Sequence, residues 1–315
     1  EFEEAVLDAT DAWTRPVLDS ELAGLSDSVR SMLARAARDK QHDGWLATLK
    51  GPVVQAILTF ADDRALRETI YTAYNTRASD QGPHAHAHDN SARIVEILAL
   101  RHEAAQLLGF PSSADFSLVD KMAGSPTRVL GFLRDLAAKA KPVAERELKA
   151  LGEFAASQLG IAELKPWDIA YSSEKLREQR YDFSEEDIKP YFPLPQVMSG
   201  LFAIAERVFG VRLVERHGVD AWHPDVQFFD VLDQDGSVRA GVYLDHFARS
   251  GKRGGAWMDV CRAPLLEGQS RRRPVAFLTC NFSPPTDGKP SLLTHGDVLT
   301  LFHEFGHGLH HMLTR

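Results

Sequence analysis

The sequence contains 315 residues, 44% of them hydrophobic and 25% charged, and carries a formal net charge of −8. This composition permits one large core or two domain cores and is a poor fit to a disordered chain or a coiled coil. Nucleic-acid binding is disfavoured because phosphate contacts need clustered Lys and Arg, and the longest basic run is Arg271-Arg272-Arg273. No apolar stretch reaches transmembrane length, so we expect no association with a membrane.

The first half of the chain has the pattern of helices. Between about residues 26 and 160, helical segments are separated by start and stop signals. Asp89-Asn90 can cap the segment SARIVEILALRHEAAQLLG, whose Gly109 stands where a helix would end. Ser125-Pro126 opens a long amphipathic segment, since proline is tolerated in a first helical turn.

The second half changes to alternating patterns. Residues 165–195 are irregular and rich in proline and aromatics, which indicates a connector, and a helix follows over about 196–209. The segments DVQFFDVLD and RAGVYLDHF, joined by Gln234-Asp235-Gly236, predict an antiparallel hairpin. Residues 274–282, PVAFLTCNF, predict a further strand. The expected fold class is therefore mainly α with a small antiparallel β-sheet.

The final segment, LFHEFGHGLHHMLTR, contains a pattern typical of metal sites. Thr294 followed by Asp297 predicts a capping box, so a helix begins just after the threonine. His303 and His307 are one helical turn apart, so both imidazoles can reach one zinc ion. Glu304 lies beside them and can take a proton from zinc-bound water. The pattern predicts metal-assisted peptide hydrolysis with Glu304 as general base.

The same helix has an apolar face. At 100° per residue, its apolar side chains fall on one arc and its histidines cluster on the opposite side. We expect the arc to pack into a core while the histidines face a cavity. The arc consists of Val298, Leu301, Phe302, Phe305, Leu309, Met312 and Leu313.

A zinc site of this kind needs a third protein ligand. His310 shares the face of the two histidines but lies about 10.5 Å from His303 along the helix axis, which would strain a tetrahedral site. The HExxHxxGxxH class is excluded because His310 and Leu313 stand where it needs Gly and His. His310 therefore stays an alternative to a carboxylate from a following helix. Other divalent ions would also accept His and carboxylate ligands.

The motif and the segments TRASDQGP, PWDIAY, WHPDVQFF, GKRGGAWMD and PVAFLTCNF resemble the thimet oligopeptidase family of zinc metallopeptidases, over essentially the whole chain. The resemblance implies a zincin-like, two-lobed helical enzyme whose deep channel admits short peptides, with one Zn²⁺ per active site and a cytoplasmic location. It also implies that the third ligand is a glutamate beyond Arg315, together with groups that stabilise the transition state. No substrate-binding residue follows from the motifs.

The resemblance also suggests how the chain is organised. We expect a helical lobe over 1–165, a connector and helix over 166–222, a small β-sheet region over 223–290 and the HExxH helix over 291–315. The chain is expected to be an internal piece of a longer polypeptide, incomplete on the C-terminal side. Alone it would be inactive, and the missing C-terminal part would be its partner beside peptide substrates.

Several features admit other interpretations. The competing hypothesis for the whole chain is a non-catalytic module that binds peptides or a metal. His84, His86 and His88 would lie on one side of an extended segment and form a metal clamp, although a solvated loop is favoured. Strand 274–282 would bind a peptide by β-augmentation if its edge were open, and would otherwise be a plain core strand.

Two further elements receive structural interpretations. Cys261 and Cys280 are too few for a disulfide framework, which fits a reducing compartment, and each is expected to be a small buried hydrophobe. The GKRGG segment lacks the end of a P-loop pattern, so phosphate binding is not expected. Its glycines are expected to form a mobile or close-approach loop beside the substrate channel.

Overall fold

The computed structural model describes residues 1–267, 270–285 and 288–314. They fold into two compact units, each assembled from separate stretches of the chain. Unit 1 contains Glu1–Ala12 and Arg64–Leu176, and unit 2 contains Trp13–Asp63 and Arg177–Arg315. The division into four consecutive regions stays a prediction.

About 53% of the chain is helical, which confirms the mainly α class. No described helix is both long enough and apolar enough to cross a membrane. The α-helices of the described residues are α1 Phe2–Ala12, α2 Asp27–Asp39, α3 Gly51–Phe60, α4 Arg64–Thr76, α5 Ser91–Leu107, α6 Ser113–Ser117, α7 Pro126–Gln158, α8 Ile169–Tyr181, α9 Glu185–Ile188, α10 Leu194–Phe209 and α11 His295–Leu313.

Strands are concentrated in unit 2. The described strands are β1 Thr14–Val17, β2 Trp45–Thr48, β3 Arg212–Glu215, β4 Gln227–Leu232, β5 Val238–Phe247, β6 Trp257–Arg262, β7 Leu265–Glu267, β8 Ser270–Arg272 and β9 Val275–Phe282. β1 pairs with β2 and β7 with β8 in small antiparallel sheets. The other strands form one five-stranded sheet in the order β3-β4-β5-β9-β6.

The five-stranded sheet is mixed, whereas only an antiparallel sheet was expected. The predicted hairpin is confirmed as β4 and β5, with Gly236 at φ 82° in its turn. The strand predicted over 274–282 is confirmed as β9, which runs parallel to β5 and antiparallel to β6. Alternation of apolar residues shows which face of a strand is buried, but it does not show the direction of a partner that is distant in sequence.

One face of this sheet forms the core of unit 2. Val242 and Leu244 of β5 and Leu278 of β9 are fully buried there. The apolar sides of α10 and α11 pack onto the same face, with Leu201 and Phe305 each 2% exposed. The sheet therefore provides the rigid support on which α11 lies.

Unit 1 contains a buried ion cluster at the PWDIAY segment. Asp168 is fully buried and accepts hydrogen bonds from Arg64 and Arg67. The Arg67 guanidinium is also buried and lies 4.1 Å from the Tyr171 ring centroid. Asp168 further accepts a bond from the Lys165 backbone N–H, which closes a capping box. This cluster fixes the start of α8. Its charged groups pair with one another, so its role is structural.

Candidate metal and active site

The helix that carries the metal pattern begins where the sequence predicts. α11 starts at His295, and Thr294 is its N-cap. The Thr294 hydroxyl accepts a bond from the Asp297 N–H at 3.0 Å, and the Asp297 carboxylate accepts one from the Thr294 N–H at 2.9 Å. This reciprocal capping box is confirmed, and it fixes the register of the turns that follow.

The apolar arc of α11 is buried, as expected. Leu301, Phe305, Leu309 and Met312 lie in the core cluster of unit 2. Val298, Phe302 and Leu313 are partly buried against the same cluster. Because this face is fixed to the sheet, the opposite face of the helix is held in a defined orientation.

His303 and His307 converge on that opposite face. Their Nε2 atoms are 3.1 Å apart, and the ring centroids are separated by 4.7 Å with an interplanar angle of 85°. Both side chains are exposed. The two nitrogens thus point toward a common position from one side of the helix.

This geometry fits a zinc ion. In a tetrahedral site with Zn–N bonds of about 2.0–2.1 Å, two ligand nitrogens lie roughly 3.3 Å apart. The observed 3.1 Å between His303 and His307 is close to that separation and requires only a small adjustment. Neutral imidazole is also a ligand that zinc prefers. The donor pair is therefore suitable for a zinc ion without a change of the helix.

Glu304, which follows His303 on α11, is half-buried. Its charge acts on Cys280 of β9, which lies in the core beneath the helix. Burial, reinforced by the nearby carboxylates, raises the pKa of the Cys280 thiol to about 12, although Lys252 acts in the opposite direction. The expected buried role of Cys280 is confirmed, and this thiol stays protonated and unreactive at neutral pH.

The place of His310 differs from that of the other two histidines. It is exposed one turn after His307. Within residues 1–267, 270–285 and 288–314, no group of three or more His, Cys, Asp or Glu side chains is arranged to hold a metal ion. The described residues thus bring two candidate ligands together, His303 and His307, and no group of three.

β6 is the edge strand beside α11. Its only partner in the sheet order of the described residues is β9. β9 lies between β5 and β6, so the proposed peptide-binding edge at 274–282 is wrong and the core-strand interpretation holds. Among the described strands, the edge on this side belongs to β6. The sequence did not indicate this, because pairing between segments that are distant in sequence decides which strand is outermost.

His311 connects the helix with this edge, and sequence reasoning did not single it out. Its Nε2 donates to the Arg262 carbonyl at 3.1 Å. The contact ties the last turn of α11 to the end of β6. The signal that could have identified it is the tandem His310-His311, since two adjacent histidines on a helix point about 100° apart and cannot both face one ion.

The alternating histidines of unit 1 lie in a loop. Residues 83–88 form turns, with His86 at φ 69° and His88 at φ 58°, so the segment is not extended. His84, His86 and His88 are all exposed. The solvated-loop interpretation is confirmed, and the clamp interpretation is wrong because turns do not direct alternate side chains to one side.

The GKRGG loop is tied to the sheet by one buried lysine. The Lys252 ammonium donates to the Asp245 carboxylate at 2.8 Å and to the Phe247 and Cys280 carbonyls at 2.8 and 2.6 Å. Asn281 holds the loop from a second side by donating to the Arg253 and Gly255 carbonyls. These bonds position the residues that lead into β6.

The burial expected for Cys261 is not observed. Cys261 of β6 is exposed rather than buried. The β6–β9 register is irregular between Val260 and Arg262, which skips Cys261 in the pairing. Asp259, Val260 and Arg262 are exposed as well, so the exposure of Cys261 follows from its place in the exposed second half of this edge strand.

Known proteins resemble this chain in sequence. The profile of peptidase family M3 matches residues 57–315. Oligopeptidase A of Escherichia coli K12 is 51% identical over 317 residues, covering 100% of this chain and 47% of that protein. The probable cytosolic oligopeptidase A of Arabidopsis thaliana is 42% identical over 331 residues, covering 100% and 46%. Dipeptidyl carboxypeptidase of E. coli K12 is 38% identical over 300 residues, covering 94% and 43%.

The chain therefore spans about half the length of the curated relatives that it matches. The family match covers most of the sequence, including the whole of α11 with His303, Glu304 and His307. The resemblance inferred from the motifs is confirmed, and the chain belongs to peptidase family M3.

Proposed function

We propose that the protein carrying this chain is a zinc-dependent endopeptidase that hydrolyses short oligopeptides, with His303 and His307 as zinc ligands and Glu304 as general base. The observation that carries the proposal is the 3.1 Å separation of the two imidazole Nε2 atoms. Membership of a peptidase family supports it, as do relatives named oligopeptidase and dipeptidyl carboxypeptidase. A cytoplasmic location belongs to the proposal and is supported by a relative named as cytosolic.

The side chains of α11 have separate tasks in this proposal. His303 and His307 hold the ion, one per active site. Zinc, when bound, polarises the scissile carbonyl and lowers the pKa of water at the site. Glu304 takes the proton of the attacking water and delivers it to the departing amine. The buried apolar face keeps all three groups aligned through both proton transfers.

The third ligand is proposed to be a glutamate supplied by a part of the protein outside these 315 residues. The described residues offer no group of three ligands, which supports this choice over His310. The greater length of the relatives also supports it. On this basis the 315 residues alone bind zinc weakly and are inactive, and the remainder of the polypeptide is their partner.

Peptide binding is proposed at the edge of β6. An edge strand offers unpaired backbone N–H and C=O groups, and a peptide that pairs with them is held by its own backbone, largely independent of sequence. β6 is suitable because His311 ties its end to α11. A peptide on this edge would lie beside the helix that carries Glu304.

A non-catalytic module that binds peptides or a metal is the second candidate. The observation in its favour is that only two histidines converge in the described residues. It predicts peptide affinity without turnover, even when the complete coding sequence is expressed. The first candidate predicts hydrolysis under the same condition.

The experiment is hydrolysis of an internally quenched short peptide by the protein expressed from its complete coding sequence. Glu304→Gln should lower kcat by at least about a hundredfold, since general acid–base catalysis contributes that much, while bound zinc is retained. Glu103→Gln is the matched control, because Glu103 follows a histidine on an exposed helix without a second histidine one turn later. Hydrolysis unchanged by Glu304→Gln would exclude the proposal.

A zinc measurement completes the test. Zinc bound per chain should fall on His303→Ala and stay unchanged on His102→Ala, whose imidazole is exposed on α5. Tight zinc binding by the 315 residues alone, lost on His310→Ala, would replace the proposed glutamate with an in-chain third ligand.

A further inference from the structure

The sheet face turned away from α11 carries a row of aromatic rings. Phe228, Tyr243 and Phe277 are direct neighbours across β4, β5 and β9. Ring centroids are 4.7 Å apart for the first pair and 5.5 Å for the second. Trp222 contacts Tyr243 and Phe277, each at 5.3 Å. We refer to these four residues as the aromatic platform.

The Trp222 ring is fixed although it is 52% exposed. Its Nε1–H donates to the Asp245 carboxylate at 3.0 Å. Asp245 is buried and is itself held by Arg249 and by the Lys252 ammonium. An exposed indole that is oriented by a buried ion network is preorganised to stack on a ligand, since little motion is lost on contact.

Asp259 lies at the open end of the platform. In the sheet register it is opposite Phe277, so the two side chains share a face with Cβ atoms about 5 Å apart. Asp259 is exposed and forms no ion pair with another described residue. Its carboxylate accepts a bond from the Val260 N–H at 2.7 Å, an amide of the edge strand.

Two described cations near this edge contact other groups, and a third, Arg216, lies over the far end of the platform, 4.6 Å from the Phe228 ring centroid. The Arg253 guanidinium lies 5.0 Å from the Trp257 ring centroid, which shows that this side of β6 accommodates a cation against an aromatic ring. Arg262 donates to the Arg273 carbonyl. Neither the Arg253 nor the Arg262 guanidinium is therefore paired with the Asp259 carboxylate.

The register decides which substrate side chains meet Asp259. Met258 packs against the core beneath α11, so the adjacent Asp259 points to the opposite face. In a peptide paired with β6, alternate side chains would lie on the α11 face and on the platform face. A side chain on the platform face would lie beside Asp259, with Phe277 on the next strand of the sheet, and a carboxylate close to an aromatic ring favours a cation.

We propose that Asp259 and the aromatic platform form a specificity subsite for a lysine or arginine side chain of a peptide bound along β6. This inference rests on the proposed function, because it assumes peptide binding at that edge. The carboxylate supplies the charge complementarity, and Trp222 supplies a ring face for the alkyl stem and the cationic head. An acidic side chain at the same position is repelled by Asp259.

The test uses a set of otherwise identical peptides that carry lysine, norleucine or glutamate at one position, moved along the peptide. With the protein expressed from its complete coding sequence, one position should show kcat/KM for lysine about tenfold above norleucine, with glutamate lowest. Asp259→Asn should reduce the lysine preference to about twofold or less. Asp235→Asn, an exposed turn residue bonded to the Ser237 N–H, is the matched control and should leave the preference unchanged.

A second readout separates this inference from the proposed function. Peptide affinity is measured by fluorescence anisotropy in a Glu304→Gln background, where no cleavage is needed. Lysine peptides should bind about tenfold more tightly than norleucine peptides, and Asp259→Asn or Trp222→Leu should remove most of the difference. Circular dichroism confirms that each variant is folded.

The outcomes are distinct. Cleavage of all peptides with no lysine preference would overturn the subsite and leave the peptidase proposal intact. A lysine preference in binding without any cleavage would support the subsite while the peptidase proposal fails. A preference that survives Asp259→Asn would overturn the role of this carboxylate, and a norleucine preference would show that the platform selects apolar side chains instead.

Discussion

His246 of β5 stacks on Phe282 of β9, with ring centroids 6.3 Å apart and an interplanar angle of 13°. The imidazole is 1% exposed, and neither ring nitrogen has a hydrogen-bond partner among the described residues. Burial, with the Lys252 ammonium nearby, lowers the pKa of His246 to about 4, and Asp245 offsets this only in part. The side chain is therefore neutral when unit 2 is folded at neutral pH.

This histidine should make unit 2 sensitive to mild acid. Between about pH 6.5 and pH 4 the unfolded chain binds a proton at His246 and the folded chain does not, so stability falls as the pH falls through this window. The pKa difference corresponds to roughly 3 kcal/mol. Because leucine does not titrate, His246→Leu should remove this component, as measured by denaturant unfolding followed by tryptophan fluorescence from pH 7 to pH 4. An unchanged difference between pH 7 and pH 4 would contradict the prediction.

The charge of Asp245 affects the stability of unit 2 in a lower pH range than that of His246. Burial alone would raise its pKa, but hydrogen bonds from Arg249, Lys252 and Trp222 outweigh burial and lower the pKa to about 2. Its contribution is complete above about pH 4 and is lost as the pH falls toward 2. Loss of stability that begins near pH 6 should therefore respond to His246→Leu, whereas titration of the Asp245 carboxylate acts only at lower pH. Unfolding measured across one pH series would show both pH ranges, the higher for His246 and the lower for Asp245.

The buried carboxylate of unit 1 should be sensitive to substitution. Asp168→Ala removes the carboxylate that pairs with the buried Arg67 guanidinium, and breaking such a buried ion pair typically costs about 3–5 kcal/mol. Hydrogen exchange of the α4 and α8 amides within unit 1 measures the effect locally. Exposed Asp135 of α7, paired with Lys139, is the matched control, and Asp135→Ala should change exchange little. Equal effects of the two substitutions would show that the buried cluster carries no special stability.

Much of the structure of α11 could be predicted from the sequence because its determinants are local. Thr294 and Asp297 fix its start, and the spacing of Leu301, Phe305 and Met312 fixes its buried face. The fold class was also accessible, because helical and alternating periods are read within one segment. These are the features for which interactions between near neighbours in sequence decide the structure.

What the sequence did not predict depends on contacts between distant segments. The edge position of β6 follows from pairing with β9, which lies after an intervening hairpin. Burial of Lys252 contradicts the usual preference of lysine for the surface and becomes favourable only where the Asp245 carboxylate and three backbone carbonyls converge. The exposure of Cys261 likewise depends on the position of β6 at the edge of the sheet.

The cap of α11 should contribute modestly to stability and to the metal site. Thr294→Ala removes the hydroxyl that accepts the Asp297 N–H, at a cost of about 1 kcal/mol. Thr300→Ala is the matched control, since the Thr300 hydroxyl is exposed and bonds only back to the Gly296 carbonyl. Thermal unfolding should separate the two variants, with a lower Tm for the cap variant alone. If the control destabilised as much as the cap variant, the capping box would have no specific role.

The loop before β6 should depend on its buried lysine. Lys252→Met keeps the alkyl stem but removes the ammonium that bonds the Asp245 carboxylate and the Cys280 carbonyl, so Asp245 loses one cation and keeps Arg249. Partial loss of a buried pair should cost up to about 3–5 kcal/mol. Lys149→Met on α7 is the control, because that side chain is 80% exposed.

Lys252→Met should affect the loop more strongly than the rest of unit 2. Lys252 joins the loop to both β5 and β9, so its loss should raise hydrogen exchange at Arg253 to Ala256 more than at the centre of β9. The Trp222 indole, held by the same Asp245, should show altered fluorescence. A uniform rise in exchange across unit 2 would mean that the lysine stabilises the fold without positioning the loop. Faster exchange confined to the loop would show that Lys252 sets the entry to the edge strand on which peptide binding is proposed.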